Sequence, residues 1–286
     1  MGPRFRGGDA RAPLGVRADR PSSTAALIAA ATVFLSRDRA LARFVPAGAA
    51  AICARCLTAL QLLSTRRGLR WLALTAERAT IPGLLLHFML RKRWIEQAVR
   101  GAIARGAREV VVVGAGYDTL AARLAPEFPG VRFIEVDHPA TQAVKRVAVP
   151  ASANLQFVAA DLARVPLRQV LSPAREPSVT IAEGLLMYLT AAEVDALFAA
   201  LAGEIVFTVM EPAPGGRIAF HNATWLERAL LALWKEPFKW AIPREALGDF
   251  LGARGFRLRE YADLAQAHPE LRLARGELVV HAMRNT

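Results

Sequence analysis

EVVVVGAGYDTLAARL, residues 109–124, is the stretch whose reading decides the fold. Glu109–Val113 is a short β-branched run ending at glycine, which suits a strand buried on both faces of a parallel sheet. Gly114-x-Gly116 then forms a strand-to-helix turn, and the residues after it take up helical spacing. Working outward, strand-like segments recur at 131–136, 155–159, 179–182 and 205–210, with helix-like stretches between several of them. Strand, helix, strand at this rhythm predicts a doubly wound α/β sheet. Thr190-Ala-Ala-Glu193 is a capping box for a helix through Leu201, and Pro243 opens another that Gly255 stops. Two further strand-like runs, 256–261 and 278–283, close the chain.

Upstream of residue 105 the pattern is helical, with Ser22 or Ser23 as the first cap and Trp94, Ile95, Ala98 and Ile103 at helical intervals. We therefore expect a helical segment over 21–105 that covers the active site, and an α/β domain over 106–286. Residues 1–20, with five Arg, four Gly and two Pro, read as a disordered basic tail rather than a secretory signal. Residues 1–110 carry nineteen Arg/Lys against six Asp/Glu, whereas the remainder is close to balanced. A nucleic-acid surface is one reading of that excess. The other is the Arg- and Ala-rich usage of a GC-rich genome, and nothing in the chain resembles a recognition module. Nucleic acid is not the expected partner. The longest uncharged stretch, 21–36, is shorter than the roughly 20 apolar residues a membrane span needs. The two cysteines, Cys53 and Cys56, sit inside a helical pattern with no companion ligands. They read as buried thiols of a cytoplasmic protein, and no metal is expected.

Glycines at the turn let backbone approach a ligand closely, and the helix that follows offers free N–H groups. A dinucleotide fingerprint would place a third glycine where Thr119 stands, so a nucleoside without phosphates fits better. About twenty residues on, RFIEVDHP ends a strand with Glu135 and Asp137 on one face. A carboxylate there accepts both hydroxyls of a ribose, and Asp137, later in the strand, is the better placed. Asp161-Leu162 and Glu183-Gly184 end two more strands. Ligands in open α/β sheets lie outside these carboxyl ends.

In this order and spacing, VVVGAGYDTLAARL, FIEVDHPATQAVKR, VAADL and IAEGLLMYLTAAEV resemble the leucine carboxyl methyltransferase family and its bacterial members. The likeness is strong over about residues 90–201 and looser beyond. It implies a class I Rossmann-like methyltransferase fold, a seven-stranded, mostly parallel sheet with helices on both faces and a helical layer before it. It also implies S-adenosyl-L-methionine as cofactor, held by Gly114, Asp137, Asp161, Leu162 and Glu183, with Asp161 near the adenine, and the glycine turn adds Gly116 to that expected set. Arg91 is the match for a basic contact before the first strand. Where many bacterial members have Arg-Thr-Arg, this chain has Arg91-Lys92-Arg93.

Methyl transfer from a sulfonium is an in-line displacement that asks mainly for alignment and exclusion of water. The acceptor is expected to be a carboxylate, of a small molecule or a protein C-terminus, because it needs no base at neutral pH. Arg91 and Tyr188 are then the candidates to orient it. A hydroxyl acceptor would want a base, with His138 and His221 considered for that role. Residues 212–242, holding Trp225, Trp234 and Trp240, read either as a lid or as a helix packed on the sheet edge. Two other classes stand beside this one. One is a nicotinamide-dependent oxidoreductase. The other is a non-catalytic cofactor-fold module docking nucleic acid through its basic N-terminal third.

Overall fold

The valine run becomes β1 (Glu109–Val113), with all five residues buried. It lies between β2 (Arg132–Asp137) and β4 (Ser178–Ala182), parallel to both. With β3 (Leu155–Ala159), β5 (Glu204–Met210), β6 (Phe256–Asp263) and β7 (Glu277–Arg284), the sheet order is β3-β2-β1-β4-β5-β7-β6. Only β7 runs against the others, pairing antiparallel with both β5 and β6. This is the class I Rossmann-like methyltransferase fold. The computed structural model describes residues 21–66, 70–171, 176–226 and 238–285. The expected basic tail and Trp234 lie outside them.

Alternation along the strands gives the sheet two cores. Val110, Val112, Phe133, Val179, Ile181 and Val206 pack on one face, and Val111, Val113, Ile134, Ile205 and Phe207 on the other. Before β1 come α1 (Ser23–Ser36), α2 (Ala49–Cys56), α3 (Ala59–Ser64), α4 (Arg70–Thr80) and α5 (Leu84–Ala104). The second half of α5 turns Ile95, Ala98, Val99, Ala102 and Ile103 onto the first sheet face at helical spacing. It is thus a flanking helix of the sheet. Between the strands lie α6 (Leu120–Leu124), α7 (Pro139–Ala148), α8 (Leu167–Val170) and α9 (Ala191–Ala199). The capping box at Thr190 and Glu193 is formed at the start of α9. Among the described residues no helix is long and apolar enough to cross a membrane.

Ala25, Ala29 and Val33 of α1 pack with Cys53 and Cys56 of α2 against Tyr117 and Ala148. The two thiols are free and buried, and burial pushes the Cys53 thiol up to about 11. At neutral pH it has no thiolate to offer.

At the opposite edge of the sheet from the carboxyl ends, Glu204 meets His281 Nε2 at 2.6 Å and Arg105 at 2.6 Å, with Glu260 3.4 Å from His281 Nδ1. Burial alone would raise the Glu204 carboxyl, but the His281 and Arg105 bonds hold it down at about 2. A depressed carboxyl contributes stability that is complete above its unfolded value, about 4.3, and is lost as pH falls through about 2. Urea unfolding should therefore show stability declining across that window, and Glu204→Gln should flatten the decline. An equally steep acid limb in the variant would assign it to other groups.

Candidate active site

The turn after β1 has two glycines in the left-handed region, Gly114 at φ 67° and Gly116 at φ 48°. A Cβ at Gly116 would stand 3.1 Å from that of Ala25, so α1 closes directly over the turn. From the end of β2, Asp137 accepts the Gly116 N–H with one carboxylate oxygen and the His138 N–H with the other. These bonds fix the carboxylate beside the turn and still leave acceptor positions on both oxygens. Burial raises the Asp137 carboxyl above its usual range, and the two N–H groups oppose that. Glu135, two residues earlier, has no accessible surface. Its Oε2 lies 2.5 Å from Lys145 Nζ of α7, close enough for an ion pair though outside hydrogen-bond alignment. Burial pushes Glu135 up to about 7 despite the lysine.

Beyond β3, Asp161 Oδ1 accepts the Ala163 N–H at 3.1 Å, while Oδ2 faces Arg164 at 3.2 Å. Leu162 is partly buried against the second core. Glu183, at the end of β4, meets a group the sequence had not shown as a unit. Arg91 Nε donates to Glu183 Oε1 at 2.9 Å, and its NH1 donates to Glu277 at 2.9 and 3.0 Å. Lys92 Nζ bridges Asp118 Oδ1 at 2.7 Å and Glu183 Oε2 at 3.1 Å. His87 Nε2 lies 2.7 Å from Glu277 Oε2. The Arg91 charge holds the buried Glu277 carboxyl down at about 2. Lys92 likewise holds Asp118 well below the carboxylate range against its burial.

Tyr188 lies in a 3-10 turn after β4 and packs edge-on against Phe238, at 5.5 Å between ring centres. With Met187, Met210, Phe220 and Ile81 they form a separate apolar cluster. Within 212–242, Phe220 and Phe238 join this cluster, Trp240 packs on Phe250 at 5.2 Å, and Trp225 is exposed. Thr224 ties the segment to the end of α4, its N–H reaching Thr80 O at 2.8 Å. His138 caps α7, and His221 Nε2 lies 3.2 Å from the Glu211 carbonyl.

Sequence reasoning missed His87, Lys92, Asp118 and Glu277. For Glu277 the reason is topological. An antiparallel β7 brings its first residue, opposite Met210, to the edge where the parallel strands end. His87 and Arg91 are one helical turn apart, a spacing that would have placed them on one face.

A leucine carboxyl methyltransferase profile matches residues 23–202. The chain belongs to the leucine carboxyl methyltransferase family. A Parafrankia protein that carries the name of an S-adenosyl-L-methionine-dependent methyltransferase is 30% identical over 196 residues, covering 61% of this chain and 59% of its own. A Mycobacterium tuberculosis protein of the same designation is 33% identical over 183 residues, covering 58% and 60%. The chain thus spans about three fifths of the length of these relatives. An S-adenosylmethionine-dependent methyltransferase from Mesorhizobium loti has a similar structure, with TM-score 0.49 and 21% identity, covering 68% of this chain and 98% of that one.

Proposed function

We propose that this chain transfers a methyl group from S-adenosyl-L-methionine to an oxygen acceptor. The observation that carries the reading is the pairing of the Gly114–Gly116 turn with Asp137, whose carboxylate is pinned by the Gly116 N–H. That arrangement suits a nucleoside, with Asp137 accepting from the ribose hydroxyls and Asp161-Leu162 flanking the adenine. The buried network supports the rest of the ligand. Glu183, Glu277 and Asp118 outnumber Arg91 and Lys92 by one charge, which favours a ligand bearing an ammonium and a sulfonium. Within it Glu183 accepts from the ammonium, and Arg91 sets the position of Glu183.

When bound, the donor supplies a methyl group whose bond to sulfur breaks, with its electron pair left on sulfur, as the bond to oxygen forms. The chain aligns the two partners and excludes water. Arg91 has its guanidinium on two carboxylates, so it does not present the free cation that an anionic acceptor would need. Tyr188, Phe220 and Phe238 wall the acceptor side. Thr119, where a dinucleotide fold wants glycine, is 2% exposed and bonds Arg123 Nε at 3.1 Å, which stands against a nicotinamide cofactor.

Calorimetry should show binding of S-adenosylmethionine and S-adenosylhomocysteine and none of NAD. Asp137→Ala should weaken S-adenosylhomocysteine by about 1–3 kcal/mol, the scale for stranding hydroxyls in a buried site. Unchanged affinity in that variant, or preference for NAD, would reject the assignment.

A further inference from the structure

His87 stands on α5 one turn before Arg91 and has no accessible surface. Among the described residues its Nε2 meets Glu277, itself fully buried and clamped by Arg91. An ionised carboxylate can only accept, so the ring proton belongs on Nε2 and the lone pair on Nδ1. That Nδ1 is buried and has no hydrogen-bond partner among the described residues. A buried polar atom left unpaired is costly, roughly 1–3 kcal/mol, and calls for an occupant. The ring meets Phe220 edge-on at 6.1 Å, and Phe220 in turn packs with Phe238 at 6.3 Å, beside Tyr188, Met187 and Met210. An imidazole with a fixed tautomer and a bare nitrogen therefore borders an aromatic, methionine-rich cluster at the carboxyl edge of the sheet.

We propose that His87 is the general base for a neutral aromatic hydroxyl acceptor, with Glu277 as the residue that fixes its tautomer. This rests on the methyl-transfer reading above and replaces the expected carboxylate acceptor with a phenol. The phenol O–H proton passes to Nδ1, and the electron pair it leaves on oxygen becomes the new bond to the methyl carbon. The imidazolium so formed lies against the Glu277 carboxylate, and its proton leaves to solvent after the product. The charged groups around the ring are Glu277 of β7 and Arg91 of α5, with Glu183 beyond the arginine, and Tyr188 stands in the adjoining cluster.

The test joins one measurement that needs no acceptor to one that does. Nitrogen-15 spectra of the S-adenosylhomocysteine complex should show a neutral His87 protonated on Nε2. His87→Gln keeps an amide donor for Glu277 and removes the base. It should bind S-adenosylhomocysteine within about twofold of wild type while methylating 4-methylphenol, a phenol that stays neutral at pH 7, at least about 100-fold more slowly. Wild type should show a single-turnover rate that rises with pH to a plateau, and the variant should lose that limb. The proposal is overturned by a proton on Nδ1, by equal phenol rates in the variant, or by no phenol turning over. Methylation of benzoate or phenylacetate in place of phenols would overturn it too. If wild type fails to bind S-adenosylhomocysteine, it is the methyl-transfer reading that falls.

Discussion

Arg91→Met should lower the unfolding free energy by about 3–5 kcal/mol, the scale for stripping one partner from a buried ion pair. Glu277 has no accessible surface, and Arg91 supplies the charge that keeps it ionised there. Glu183 loses its bond from Nε at the same time, and the guanidinium's stacking over Phe88, 4.8 Å from the ring centre, goes with it. Lysine would not substitute, since the fork reaches two carboxylates in one plane and a single ammonium cannot. Urea denaturation at pH 7 reads the loss. Adding Glu277→Gln to Arg91→Met should recover part of it, because the stranded charge is then gone and the two sites are coupled. A single variant within about 1 kcal/mol of wild type would show that the carboxylates are solvated after all.

What the sequence made legible follows from how local each signal is. The valine run, the glycine turn and the Thr190 capping box are contiguous, and each formed within a residue or two of its expected place. Strand alternation at 131–137 put Glu135 and Asp137 on one face, but it could not say that Lys145 would bury the first and leave the second at the turn. That outcome depends on where α7 packs, which is a tertiary fact. The boundary near residue 105 followed the change of periodicity, whereas the packing of α5 follows its apolar face, and the two do not coincide. The buried network was least visible. Its members are separated by as many as 190 residues, from His87 to Glu277, and each alone looks like an ordinary charge in a helix or at a strand start.

The basic composition of the N-terminal third has a partly structural use. Arg91 and Lys92 are buried against carboxylates from the α/β domain, and Arg100 pairs with Glu96 and Glu127 where α5 meets the sheet's first core. Charges committed to internal pairs do not present a surface to a polyanion, which weakens the nucleic-acid reading on physical grounds. On the proposed reading the same commitment shapes the chemistry, because Glu183 and Glu277 hold Arg91 and Lys92 at the carboxyl edge of the sheet.

Gly83→Ala should destabilise the protein by roughly 2–5 kcal/mol and weaken S-adenosylhomocysteine binding as well. Gly83 precedes α5 at φ +84°, a conformation that an alanine adopts only under strain. An added Cβ would also stand 2.3 Å from the Arg272 carbonyl oxygen and 2.6 Å from Leu273 Cα. Both are backbone atoms, so neither can swing aside as a flexible side chain would. Asn222 fastens the same junction, donating to Pro82 O at 2.9 Å and Leu273 O at 3.2 Å. Relief therefore requires the first turn of α5 to move away from the segment that leads into β7. That turn carries His87, and the next carries Arg91, so the displacement opens their contacts to Glu277. Gly106→Ala is the matched control, with φ +109° and nothing within 4 Å of the added carbon. It should show the backbone strain alone, about 1–2 kcal/mol, and leave ligand affinity unchanged. Equal losses in the two variants by urea denaturation and calorimetry would mean that the α5–β7 junction yields freely and does not set the geometry of the site.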